Sequence, residues 1–303
     1  MKAFILAGLL AAASPAVALS QASQPVSQSN IVIGESFILD APSLGDEREI
    51  NVWLPPFYEE LEEPLNVVYL IDGAQDQDFV HIAGLAQLGA LSWQYEPFIL
   101  VGVQTKNRLL ELTRPAADPR YQDQFADQGG SEDFLAFLTE TVIPFVDSRY
   151  ETSERRAVIG ESLAGLFVTD TFLNAPASFT DYIAVSPSLW WDEQAAGQAA
   201  ATLLSAHDDA ERSLYLTMAD EGGTMQAGLD HLLEALENHA PEGLDWIYVD
   251  RSQTETHSTI FHPAALDAFR TLFTLPPYEY GEAPWYLVEG GEPPAEVDAP
   301  DQP

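Results

Sequence analysis

One serine, one histidine and two adjacent carboxylates occur along this chain in an order that suits acyl-transfer chemistry. Ser162 lies in AVIGESLAGLFVTDTF, residues 157–172, where a short apolar segment passes through Gly160 and Glu161 straight into a helical pattern. A hydroxyl on such a turn projects from the edge of a sheet. The first amides of the helix, at its positive end, face the place where an oxyanion would develop. Strand, turn and helix approach closely there, so small residues are needed, and Gly160, Ala164 and Gly165 supply them. The final small position of the G-x-S-x-G pattern is alanine here, with glycine one step later. The competing reading of Ser162 is an ordinary helix N-cap.

A serine nucleophile needs a neutral imidazole to take its proton. The chain has six histidines. His257 sits in RSQTETHSTIFHP, after the last apolar strand and before the last helix. In a doubly wound sheet that loop lies on the same rim as Ser162. His207, His231 and His239 have acidic, helical surroundings and read as surface residues. His81 opens a helix and could line the cleft, and His262, followed by Pro263, reads as a cap. The acid is expected on the loop LYLTMADEGG, where Asp220 and Glu221 are consecutive, so only one can face His257; Asp250 is a weaker option. Leu163 would give one oxyanion-hole amide and Ala74 or Gly73 the second, unless Asp72-Gly73 is simply a turn. Trp93, Phe98, Trp190 and Trp191 are candidate apolar walls. Arg108 and Arg114 are rare cations that either hold a substrate carboxylate or pair with acidic neighbours.

The elements that must position these groups follow from hydrophobic pattern. Segments 36–39 and 49–54 read as a hairpin around Gly45-Asp46, the second strand alternating as an edge strand does. Segments 65–71, 98–103, 156–159, 182–185, 214–218 and 246–249 are nearly all apolar, as strands covered on both faces are. The clearest helical patterns are 79–91, 132–145, 163–173, 225–238 and 264–273. Strands alternating with helices predict an α/β class with a mostly parallel central sheet and helices on both faces. The stretch 105–130 is too long for an ordinary connection and is expected to be functional or disordered.

Composition narrows the function. The 303 residues carry 48 acidic and 12 basic side chains, a formal charge of −36, which disfavours nucleic acid and anionic membrane surfaces as partners. There is no cysteine, which removes disulfides and thiolate chemistry. Residues 1–18 have the basic start, apolar middle and Ala16-Val17-Ala18 end of a signal peptide, which implies export to the periplasm or beyond without a membrane anchor. Residues 19–30 read as a disordered lead-in, 31–275 as one domain, and 276–303 as an acidic, proline-rich tail whose first aromatics would pack on the body.

Five segments arrive in one order: YLIDGAQD at 69–76, NRLLELTRP at 107–115, GESLAGLF at 160–167, MADEGGTM at 218–225 and ETHSTIFHPAALDAFRTLF at 255–273. Together, over residues 32–274, they resemble the putative-esterase family of α/β-hydrolases, which includes esterase D-like enzymes and siderophore esterases of the Fes and IroE type. The resemblance implies an α/β-hydrolase fold and ester hydrolysis through an acyl-enzyme, with Ser162 as nucleophile, His257 as base and Glu221, rather than Asp220, as acid. It implies no metal or organic cofactor. The family's usual histidine before the serine is Glu161 here, which adds a negative charge beside the nucleophile and disfavours anionic substrates. A small neutral ester is the expected partner. The alternatives are a siderophore trilactone or, for an inactive protein, a bound ligand.

Overall fold

The computed structural model describes residues 25–276 and 283–293. The expected signal peptide and the start of the lead-in lie outside the described residues. Residues 25–32 contain no helix or strand and are exposed.

From Glu35 onward the chain builds an eight-stranded sheet: β1 (Glu35–Ala41), β2 (Asp46–Trp53), β3 (Leu65–Ile71), β4 (Phe98–Val103), β5 (Thr152–Glu161), β6 (Asp181–Val185), β7 (Arg212–Met218) and β8 (Leu244–Asp250). Their spatial order is β1-β2-β4-β3-β5-β6-β7-β8. β1 pairs antiparallel with β2 and β2 antiparallel with β4, while every later pairing is parallel. Between the strands lie α1 (Phe79–Ser92), α2 (Arg108–Leu112), α3 (Pro119–Gln124), α4 (Ser131–Phe137), a π-helical turn over Leu138–Val142, α5 (Ile143–Arg149), α6 (Leu163–Asn174), α7 (Trp191–Leu204), α8 (Gly223–His239) and α9 (Phe261–Leu272).

The near-continuous apolar strands are what a sheet covered on both faces requires. Along β3, Val67, Tyr69 and Ile71 join the core beneath α4–α8, whereas Val68 and Leu70 join the core beneath α1 and α9. Phe134, Phe167 and Phe172 fill the first layer, and Phe79, Phe98 and Phe269 the second. Each such fully buried side chain contributes roughly 1.5–3 kcal/mol of transfer free energy. The chain leaves β3 toward β4 on one side and returns to β5 on the other, so winding reverses between β3 and β5. Ligands of open α/β sheets bind at the carboxyl ends of the strands flanking such a reversal. Both Gly73 and Ser162 follow strands at this point.

Several sequence expectations need correction. β2 is an interior strand with Asn51 and Trp53 both buried, and the edge is β1, where Ile38 is 63% exposed. At the other edge stands β8, expected to be covered on both faces; its Ile247 is 40% exposed. Alternation along β2 reflects packing against two different helical layers, which hydropathy alone does not distinguish from exposure. The 105–130 stretch contains α2 and α3, each too short for a periodic signal. α7 was not evident either, and its first residues 192–194 are left-handed. Trp93 is exposed and stacks on Phe57, and Phe98 is buried at the start of β4, so both lie at the strand end away from Ser162. In the tail, Trp285 and Tyr286 are exposed and pack edge-on against each other, while Tyr278 and Tyr280 fall outside the described residues.

Candidate active site

Ser162 occupies the N-cap position of α6 but does not cap it. Its backbone sits at φ 63°, ψ −117°, and its side chain makes no capping bond. That conformation costs a non-glycine residue about 1–3 kcal/mol. It is held from both sides, because the Ser162 amide donates to Val185 O (3.0 Å) and Ser162 O accepts from the Ser188 amide (3.0 Å). Gly160 is needed because a β-carbon there would lie 2.6 Å from the backbone of Ala164. The strained turn therefore aims the hydroxyl away from the helix and out over the sheet edge.

His257 Nε2 lies 3.0 Å from Ser162 Oγ, and His257 Nδ1 lies 2.6 Å from Glu221 Oε1. An ionised carboxylate only accepts, so Nδ1 carries the proton and Nε2 is left as an acceptor for the serine hydroxyl. The structure thus brings together three side chains from the ends of β5, β7 and β8. It also separates the adjacent acids: the Glu221 side chain is 8% exposed and meets the imidazole, whereas Asp220 is exposed. Asp250 is exposed too and accepts from the Ser252 amide (2.9 Å).

Both partner loops are tied down. The Ala219 amide donates to Ser186 Oγ (3.1 Å), fixing the acid loop to the end of β6. Arg251 donates through its amide to Met218 O (3.0 Å) and through Nη2 to Asp267 Oδ2 on α9 (2.7 Å). Buried Ile260 closes the histidine loop, its backbone N–H donating a hydrogen bond to Thr256 O (3.1 Å).

The oxyanion-hole candidates divide. Leu163 provides the first amide of α6, which has no helical carbonyl to bind. The Gly73 amide is engaged with Val103 O (2.8 Å) as part of the sheet, so Gly73 is not a free donor. The Ala74 amide donates to Gln77 Oε1 (3.0 Å), a side-chain contact that rotation can release.

Around Ser162, His257 and Glu221 lies a set of charged groups that motif reading saw only in part. Glu161 Oε1 is 3.3 Å from His257 Nε2, with the Glu161 side chain 19% exposed. Burial pushes Glu161 up to about 7, opposed by His257 and Arg108 and reinforced by Asp78 and Asp72. Arg108 Nε pairs with Asp72 Oδ2 (2.9 Å), and Nη2 donates to Glu161 O (3.4 Å). Asp72 also accepts from Thr105 Oγ1. Asp78 pairs with His81 Nε2 (3.0 Å), and burial raises Asp78 above the usual carboxylate range. His262, expected as a cap, instead packs its ring 4.6 Å from that of His81; burial first, then His81, pushes it down. Ser188, 3.4 Å from Ser162 Oγ, was missed. Its only sequence signal is its place just after β6.

The proposed pocket residues part company. Trp191 is buried in the core with Nε1 donating to Arg114 O (3.1 Å), and what remains exposed of it borders the cleft beside Asp170. Trp190 is half-buried and stacks on Tyr121 of α3. Arg114 pairs with Glu132 (2.9 Å). His231 and His239 are exposed, but His207 is half-buried, with Nε2 3.0 Å from Leu173 O. Among the described residues no group of His, Asp or Glu is arranged to hold a metal, and no helix is long and apolar enough to cross a membrane.

A mostly parallel eight-stranded sheet with this strand order, wrapped by helices on both faces, is the α/β-hydrolase fold. Within that class, residues 41–267 match the family model described as Putative esterase, and the chain belongs to that family. It is 31% identical over 110 residues to the ferri-bacillibactin esterase BesA of Bacillus subtilis, covering 32% of this chain and 38% of that protein. It is 28% identical over 158 residues to the siderophore triacetylfusarinine C esterase of Aspergillus fumigatus, covering 49% and 53% of the two chains. The curated relatives are thus matched over only 23% to 60% of their own length. Among solved structures, an IroE-like serine hydrolase from Shewanella oneidensis aligns with a TM-score of 0.68 at 26% identity, over 79% of this chain and 80% of that one.

Proposed function

We propose that this protein is a serine carboxylic-ester hydrolase working through an acyl-enzyme. The observation that carries the reading is the continuous chain of contacts from Ser162 Oγ through both nitrogens of His257 to Glu221. In this reading Ser162 Oγ attacks the ester carbonyl as its proton passes to His257 Nε2. Glu221 accepts from Nδ1, holds the useful tautomer and stabilises the imidazolium. The Leu163 amide supports the oxyanion, and the Ala74 amide joins it when Gln77 releases it. His257 then protonates the leaving alcohol, and water repeats the sequence in reverse. The expected substrate is a small ester with no negative charge, hydrolysed after export of the chain.

Family membership and the named siderophore esterases support ester hydrolysis as the reaction. They also favour a second substrate reading, a siderophore trilactone. Against an anionic catecholate stand Glu161, Asp72 and Asp78 at the rim. The test is labelling by a fluorophosphonate with a panel of p-nitrophenyl acyl esters and a catecholate trilactone. Wild type should label and turn over acyl esters, and Ser162→Ala should do neither while remaining folded. Retained turnover in that variant refutes the assignment.

A further inference from the structure

We propose that Glu161 makes this site selective for esters whose leaving alcohol carries a positive charge a few bonds beyond the ester oxygen. This rests on the hydrolase reading above and adds a substrate class to it. The geometry starts at His257 Nε2, which must hand its proton to the departing oxygen and so approach within about 3 Å of it. Glu161 Oε1 lies 3.3 Å from that same nitrogen. The carboxylate is therefore a neighbour of the leaving group rather than of the acyl chain. On that geometry an ammonium two carbons beyond the ester oxygen would come within reach of the carboxylate.

The surrounding charges point the same way. The charged groups that act on Glu161 come from three neighbouring segments: His257 before α9, Arg108 on α2, and Asp72 and Asp78 after β3. The Arg108 guanidinium is already paired with Asp72, and His81 with Asp78. The permanent positive charge of Arg108 is thus already engaged by another rim carboxylate. A ligand that brings a fixed cation adds to the partial compensation from His257 and Arg108, and one that brings a carboxylate adds to the repulsion of Asp72 and Asp78. With only 19% of the Glu161 side chain exposed, salt screens this contact less than it would a surface pair. Burial also places Glu161's ionisation at about 7, so the preference switches on as pH rises through neutrality.

The probes are choline butyrate and its uncharged isostere, 3,3-dimethylbutyl butyrate, which share an acyl group and differ in the leaving alcohol's charge. The readout is the ratio of their kcat/KM values. Because it is taken within one protein, differences in folded fraction and in His257 protonation cancel. At pH 8.5 wild type should favour the choline ester by roughly tenfold, the order that one partly screened ion contact supplies. The ratio should fall toward one as pH drops below about 6, since the choline charge itself does not titrate and Glu161 does. Glu161→Gln should flatten the ratio near one at every pH. A wild-type ratio at or below one, or a ratio unchanged by Glu161→Gln, overturns the inference while leaving ester hydrolysis standing. Turnover of neither ester overturns both.

Discussion

Replacing Glu221 by glutamine keeps the size of the side chain and removes its charge, which isolates what the carboxylate does for the imidazolium. Glu221 Oε1 is 2.6 Å from His257 Nδ1, so the two charge centres in the transition state are about 4 Å apart. The Glu221 side chain is buried, but that of His257 is 42% exposed, so an effective dielectric near 20 is appropriate. Opposite charges at that distance and dielectric attract by about 4 kcal/mol. A loss of about 4 kcal/mol corresponds to roughly three decades in rate. Glu221→Gln should therefore lower kcat for p-nitrophenyl butyrate by about 10³, with KM changed little. Asp220→Asn, at an exposed neighbouring position, should stay within about twofold of wild type. The assay is steady-state hydrolysis normalised to active sites counted by fluorophosphonate. A loss below about tenfold for Glu221→Gln, or equal losses for the two variants, would refute the assignment of Glu221 as the acid.

Two further outcomes follow from strain and burial. Ser162→Gly relieves a backbone conformation that costs serine about 1–3 kcal/mol, so it should raise Tm by several degrees while eliminating turnover; differential scanning calorimetry beside the ester assay checks both, and a lowered Tm refutes the strain argument. Asp170 of α6 is buried between two clefts of about 210 and 150 Å³ that share Arg114 and Asn174. Burial pushes its carboxyl from 3.8 up to about 7, against the pull of Arg114. The folded state then holds a proton that the unfolded chain releases near pH 4, so Asp170's contribution to stability is full below pH 4 and is lost as pH rises through about 7. Asp170→Asn should remove that dependence and exceed wild type at pH 8 by at least about 1 kcal/mol, or roughly 2–4 °C in Tm. Parallel Tm–pH curves for the two proteins would show that Asp170 does not titrate in this window.

The sheet was legible because its strands are so strongly apolar. A run such as LNVVYLI has no polar face to offer solvent, and the structure covers it on both sides. Edge and interior were not legible, because burial of β2 and exposure of β8 depend on which neighbours are present. The serine turn was readable from Gly160, Ala164 and Gly165, since only small side chains allow that approach. Resemblance had to choose between Glu221 and Asp220, because side-chain direction in a loop has no periodicity. The charged rim was harder still: Asp78, His81 and His262 come from two helices' entrances and meet only through packing of α1 near α9. Ser188 and Gln77 carry no motif at all. They matter through where a backbone amide or hydroxyl ends up, and that is fixed by tertiary contacts.

Strand order also explains why the histidine loop is built as it is. Ser162 follows β5 and His257 follows β8, three strand positions away in the order β5-β6-β7-β8. With neighbouring strands roughly 4.8 Å apart, the imidazole must return about 14 Å across the sheet to reach the hydroxyl. Glu221, on the loop after β7, stands where the returning ring can rest on it. The distance suits a loop that folds back over β7 and β6. Free loop would make such a return imprecise. Here the loop is anchored at its root by the Arg251 bonds to Met218 and Asp267, and at its far end by buried Ile260. The ring's position thus depends on α9 as much as on the loop. The core layer of Ala264, Ala268 and Phe269 beneath it then holds the contact between His257 and Ser162 as well as adding stability: shifting α9 on the sheet would move His257 away from Ser162 without touching either residue.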